Sequence, residues 1–258
     1  MDIPVSQNAI DAGFVTGNFG AHMGRTIMLR EFNQLLDHCA PDAKWPDYQY
    51  AIIDENILLK PTQSSRGEAL RRLRQLYGLD DILIFKTLKF LAYSDSHARP
   101  LLALLCALAR DATLRSTIEL IVSAHPSEVL APVQFKSIIA SSFPGQLSDS
   151  TLSSAGRNTI SSWEQSGHLH GLKQKVRQQV QPTPVVTAYA LFLAYLNGER
   201  GEAMFESPWC KVLDQPAHIL RAQAQQASQQ GWLEYRFAGQ VTEITFRHFL
   251  SEGKYERS

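Results

Sequence analysis

The chain has 258 residues and a mass of 28.9 kDa, with 44% hydrophobic and 19% charged residues. That is enough apolar material for one large packed domain or two small ones, and it excludes wholesale disorder. Cations and anions number 25 each, so a generic polycation is excluded while a local basic patch is not. The longest apolar run, Leu101 to Ala109, falls far short of the roughly 20 residues of a membrane span. The opening Met1-Asp2-Ile3-Pro4 lacks the basic and apolar regions of a secretory signal. Cys39, Cys106 and Cys210 are too scattered for a disulfide framework or a four-cysteine zinc site. These features predict a cytoplasmic protein with no membrane segment.

Charge is uneven. The net value is −4 over residues 1–60, +3 over 61–120, +2 over 121–200 and −1 over 201–258. The middle of the chain is its basic part.

In chain order, residues 1–20 are rich in Gly, Asn and Ser and predict an irregular lead-in. His22 to His38 carries Met28, Phe32, Leu35 and Leu36 at helical spacing. Tyr48 to Leu59 fits either a strand or a short helix. Ser64 and Ser65 offer N-caps, with Glu68 as a capping-box partner, for a helix ending at Gly78. Further helices are predicted from Asp81 to Tyr93, over 100–110 and over 112–124, the second of these three apolar enough to be central.

Pro132 opens the next predicted helix, Pro144-Gly145 turns the chain, and Ser148 or Asp149 caps a helix reaching Gly167. A short hairpin around Gly171 follows. Helix, turn, helix and hairpin are the order of a winged helix-turn-helix. The order recurs with helices at Pro184–Leu196, Glu202–Leu213 and Ala217–Gln230, then strands Trp232–Phe237 and Val241–Phe246 joined at Ala238-Gly239-Gln240. The predicted fold is mainly α: an N-terminal helical region over 1–125, then winged-helix-like units over 126–181 and 182–258.

The helix over 149–166 carries the clearest chemistry. Leu152, Ala155, Thr159, Ile160 and Trp163 fall on one side. Ser153, Ser154, Arg157, Asn158, Ser161 and Gln165 fall on the other, with Glu164 as the acid among them. Arg can pair with guanine, Asn or Gln with adenine, and Ser with bases or phosphates. His168, His170, Lys173, Lys175 and Arg177 in the hairpin would suit a wing on the phosphate backbone. The bland alternative is a solvated helix beside a solvated hairpin. Arg66, Arg71, Arg72 and Arg74 form a second cluster, fit either for phosphate or for surface pairs with Asp80, Asp81 or another acid. The helix over 217–230 holds no acid and shows Arg221, Gln225, Ser228 and Gln229, fit for a groove or for a subunit interface.

No cofactor or metal is expected. His168 and His170 share a strand face without a nearby cysteine or paired carboxylate. Pro46-Asp47 matches half of a PD-(D/E)xK nuclease pattern, but neither Lys60 nor Lys86 has an acid two residues before it. Gly13, Gly17, Gly20 and Gly24 do not form GxGxxG. The common ATPase, zinc-protease and α/β-hydrolase motifs are missing.

The stretch Glu55-Asn56-Ile57-Leu58-Leu59-Lys60-Pro61, then Ser64-Ser65 and an Arg-rich helix ending Arg74-Gln75-Leu76, resembles the BrxA family of BREX bacteriophage-exclusion systems. The apolar helix pair near 100–124 fits the same likeness, which covers roughly residues 25–125. The resemblance implies a mainly helical, cytoplasmic DNA-binding accessory protein beside larger ATPase and methyltransferase components. It carries over no catalytic residue. The expected function is therefore non-enzymatic binding of duplex DNA in antiphage defence. The alternative is an adaptor that docks a larger defence subunit without touching DNA.

Overall fold

Leu101 to Ala109 holds no charged side chain, and a helix apolar on all sides is stable only when covered on all sides. The computed structural model, which describes residues 3–17, 19–239 and 241–250, buries the whole run. In chain order the elements are α1 (Gln7–Ala12), a 3-10 turn (Ala21–Met23), α2 (Leu29–His38), α3 (Trp45–Ile53), α4 (Gln63–Tyr77), α5 (Leu83–Ser94), a 3-10 turn (Ser96–Ala98) and α6 (Arg99–Arg110). There follow α7 (Ala112–Arg115), α8 (Ile118–Ser123), β1 (Val129–Leu130), α9 (Pro132–Ser142), α10 (Asp149–Gln165), β2 (Leu169–His170) and β3 (Lys175–Arg177). The chain continues through α11 (Pro184–Leu196), a 3-10 segment (Gly201–Glu206), α12 (Pro208–Lys211), α13 (Ala217–Gln229), β4 (Glu234–Ala238), β5 (Val241–Thr245) and α14 (Arg247–Leu250).

The structure is mainly helical with two small antiparallel sheets among the described residues. Helix α6 is central, packed against α2, α4, α5, α7, α10 and α11. Buried apolar side chains from Ala9 to Leu250 form one continuous core across all three predicted regions. No helix among the described residues is long and apolar enough to cross a membrane.

Several predicted elements differ in detail. The helix expected from His22 begins at Leu29, because residues 22–28 are drawn into hydrogen bonds with α10. Tyr48 to Leu59 resolves into the end of α3 and a loop; Pro46 sits in the first turn of that helix. The N-cap of α4 is Thr62, whose hydroxyl accepts from the Ser65 N–H, while Glu68 turns to Arg71 and Arg72. Pro208 divides the helix expected over Glu202–Leu213, since proline favours a new first turn over the interior of an old one. Gln240, assigned to the last turn, lies outside the described residues.

The first sheet contains a strand that the sequence reading missed. β1 pairs with β3 (Val129 opposite Val176), and β3 pairs with β2 (Leu169 opposite Arg177), giving the order β1-β3-β2. Helices α9 and α10 are inserted between β1 and β2. They pack closely at Gly156, where a Cβ would stand 2.7 Å from the Pro132 carbonyl oxygen.

Residues 3–17 and 19–28 act as a strap across the molecule. Ser6 donates through its N–H to Asn197 Oδ1 and through its hydroxyl to the Leu196 carbonyl. Val15 N–H donates to the Ala109 carbonyl, and Arg110 donates to the Gly13 carbonyl. The strap then reaches Asp111, a fully buried carboxylate. Asp111 Oδ1 accepts from the N–H groups of Thr113 and Leu114, capping α7. Oδ2 accepts from the His22 N–H (3.1 Å) and pairs with His22 Nδ1 (2.7 Å). Burial alone would raise the Asp111 pKa. The His22 imidazole and the hydrogen bonds from His22 and Leu114 outweigh it and hold the carboxyl below its usual value.

This seat requires a glycine. A Cβ on Gly20 would lie 1.9 Å from Asp111 Cγ, whereas one on Gly24 meets nothing closer than 3.6 Å. Gly20→Ala is therefore expected to cost about 3 kcal/mol or more, by displacing a buried carboxylate from its partners. Gly24→Ala should stay within about 1 kcal/mol. Urea unfolding of both variants checks this; a wild-type midpoint for Gly20→Ala would contradict the assigned seat.

Candidate nucleic-acid interface

Ser148 starts α10, its hydroxyl accepting the Thr151 N–H. Ala155, Gly156, Thr159, Ile160, Ser162 and Trp163 are buried, and Trp163 Nε1 donates to Thr117 Oγ1 at 2.9 Å. Leu152 is half-buried at the edge of this face. At 100° per residue, the outward arc holds the polar set expected from the sequence.

The strap covers one margin of that arc. Asn158 Nδ2 donates to the His22 carbonyl at 3.0 Å, and Gln165 Oε1 accepts the Leu29 N–H at 3.1 Å. The amide groups expected to face a DNA groove are thus engaged in holding residues 22–29. Within the arc, Glu164, two turns after Arg157 on the same side, is taken by Lys175, which pairs with it at 2.6 Å and also donates to the Gly171 carbonyl. The remainder is a narrower stripe: exposed Ser150 and Arg157, with half-buried Ser153, Ser154 and Ser161. Arg157 Nη2 donates to Ser154 Oγ at 3.1 Å.

The hairpin departs further from expectation. Lys173 is exposed at its tip beside Leu172, which is 97% exposed. Arg177 is not a wing cation. It is buried, donates to the Ile121 carbonyl and forms a two-pronged pair with Asp214 at 2.5 and 2.9 Å. Asp214 Oδ2 also accepts the Val180 N–H, so this pair joins β3 to the loop before α13. His168 is likewise interior: Nε2 donates to the Val212 carbonyl at 2.7 Å, and Nδ1 lies 2.8 Å from Ser166 Oγ. Burial lowers its pKa to about 4, against smaller opposing effects of the Val212 hydrogen bond and the Asp214 charge. Arg177 stands opposite Leu169 in the ladder, and both side chains are buried.

Three of the four α4 arginines are neutralised in the way the surface-pair alternative anticipated. Arg71 and Arg72 share Glu68, and Arg74 grips Asp80 with two hydrogen bonds while stacking 4.4 Å over the Trp45 ring. Arg66 donates to the Ile53 carbonyl. Arg25 on the strap and Arg30 in the first turn of α2 are exposed, and no ion pair is found for either among the described residues.

The sequence reading missed one constellation altogether. His22 Nε2 lies 2.8 Å from Ser162 Oγ, completing a Ser162–His22–Asp111 chain. These are the residue types of an acyl-transfer triad, but all three are inaccessible to solvent. Ser162 Oγ also accepts the Ile27 N–H and lies 2.9 Å from the Asn158 carbonyl. With its hydroxyl enclosed this way, the chain works as a brace. No short-range pattern marks it, because its members are separated by 89 and 140 positions. No group of three or more His, Cys, Asp or Glu suited to a metal occurs among the described residues.

The chain matches no protein-family model and no curated protein sequence.

Two expectations follow for the inward-facing residues. Arg177→Ala should lower stability by about 3–5 kcal/mol by leaving Asp214 buried and unpaired, whereas Arg71→Ala should cost less than about 1 kcal/mol. His168 has a folded-state pKa below its unfolded value, so its contribution is present above about pH 6.5 and is lost as pH falls toward about 4. Denaturation across that range should show wild-type stability falling by up to about 3 kcal/mol more than that of His168→Gln. Parallel curves would contradict the buried neutral imidazole.

Proposed function

We propose that this protein is a non-enzymatic DNA-binding accessory protein, with residues 126–181 forming a winged helix-turn-helix that contacts duplex DNA mainly through phosphates. The observation that carries the reading is the α10 stripe of Ser150, Ser153, Ser154, Arg157 and Ser161, set between strap and hairpin. Small hydroxyl side chains let a helix approach a duplex closely, and its single arginine supplies a groove or phosphate contact. The order β1-β3-β2, with α9 and α10 inserted, supports the same reading. Lys173 flanks the stripe on the hairpin, with Arg25 on the strap and Arg30 at the start of α2 as further exposed cations. With Asn158 and Gln165 engaged internally, few base-reading groups remain, so sequence preference is weak.

The likeness of residues 55–76 to the BrxA family supplies the setting: bacterial antiphage defence, in the cytoplasm, beside larger subunits. A protein-docking adaptor is the second reading. It is favoured by Leu172, an almost fully exposed leucine where a phosphate-contacting wing needs none, and by the neutralised α4 arginines.

About four cations at phosphates give a log–log salt slope of roughly −3 to −4 for duplex binding. Lys173→Ala should reduce that slope by about one and weaken all sequences alike. Arg157→Ala should weaken binding by about 1–3 kcal/mol, with unfolding unchanged. Fluorescence anisotropy across a salt series measures both. Binding that ignores salt, or survives loss of Arg157 and Lys173 together, would overturn the DNA reading and leave the adaptor.

A further inference from the structure

The second helix–hairpin unit has a face built unlike the first. In the β4–β5 hairpin, Tyr235 stands opposite Ile244 and Phe237 opposite Thr242. Paired residues of an antiparallel ladder project to the same side. Ile244 and Thr242 are buried on that side, and Tyr235 is half-buried. Phe237 therefore points to the core side of the sheet, yet it is 62% exposed. It stands over a groove of about 1090 Å³ bounded by the hairpin, the 3-10 segment Gly201–Glu206 and the face of α13 that carries Arg221 and Ala222.

The charges around this groove are not those of a phosphate site. Arg221 is engaged: Nη2 and Nε donate to Glu202 Oε2 at 2.7 and 3.0 Å, and Thr242 donates to the other oxygen of the same carboxylate. Glu206, exposed on the same wall, has no ion-pair partner among the described residues. An inward aromatic left exposed and a carboxylate without an ion-pair partner among the described residues, lining one groove, call for a ligand that is apolar at one point and cationic at the next.

We infer that this groove docks a protein segment bearing an aliphatic or aromatic side chain flanked by lysine or arginine. The apolar side chain covers Phe237 and Tyr235, and the cation pairs with Glu206. This goes beyond the DNA reading, which concerns α10 and the first hairpin. The second unit thereby serves protein rather than nucleic acid: a phosphate backbone brought along α13 would meet Glu206 and find Arg221 already paired.

The test uses the whole protein and two labelled heptapeptides, one alternating leucine with arginine and the other leucine with glutamate, followed by anisotropy. The arginine peptide should bind at least about tenfold more tightly than the glutamate peptide. Phe237→Ala and Glu206→Lys should each weaken it about tenfold, with thermal unfolding unchanged because both side chains are exposed. Glu243→Lys, on the outer face of the same hairpin, should leave it unaffected. The inference is overturned by the absence of saturable binding below about 1 mM, by equal binding of the two peptides, or by wild-type affinity in Glu206→Lys. A homodimer that Phe237→Ala dissolves would assign the groove to a second copy and also overturn it. Duplex binding lost in Phe237→Ala but kept in Arg157→Ala would do the same.

Discussion

A buried carboxylate must find hydrogen bonds or lose its charge, and Asp111 finds four donors from two parts of the chain. Two are N–H groups of α7, immediately after the central helix. The other two belong to His22, on the strap. Through His22 Nε2 the interaction passes to Ser162, and the same hydroxyl receives the Ile27 N–H. Central helix, strap and α10 are thus bound at one point from which water is excluded. The rotation of α10 about its own axis follows from it. With Ser162 and Trp163 turned inward, Arg157 and the serines must face out.

The consequence for the surface is subtractive. A helix whose polar arc spans eight positions offers a wide contact face, but the strap must bond its own carbonyls and N–H groups to something. It uses Asn158 and Gln165 for that purpose. The exposed remainder has one cation and several hydroxyls, a surface suited to close approach and poorly suited to reading bases. Further along the chain, the Arg177–Asp214 pair and the His168–Val212 hydrogen bond perform the equivalent task, joining the first sheet to the loop before α13. The two hairpin-bearing regions are in this way held in contact while presenting different chemistry: Arg157 and Lys173 on one, Phe237 and Glu206 on the other.

Periodicity made most of the helices legible, including the central position of α6 and the inward Trp163, because burial of an apolar stripe is a local pattern. It also exposed the arc of α10. Three kinds of information were not local. The two-residue strand β1 is too short to alternate detectably, and without it Arg177 looks like a wing cation instead of an interior one. The lead-in expected to be irregular holds the short helix α1, and outside it and the turn at Ala21–Met23 the strap bonds largely to distant partners, which no local pattern marks. The fate of each arginine depends on acids brought close by folding: Glu68 and Asp80 are near in sequence and could be anticipated, while Asp214, 37 positions from Arg177, could not.

The strap and α10 form one cooperative unit through Asp111, His22 and Ser162. Native-state hydrogen exchange measures it most directly. The amides of His22 and Ile27, which donate to Asp111 and Ser162, should exchange as slowly as the interior amides of α6 and α10 and with the same denaturant dependence. Exchange of those two amides orders of magnitude faster than the helices, and independent of denaturant, would show a strap that opens by itself and would contradict the account.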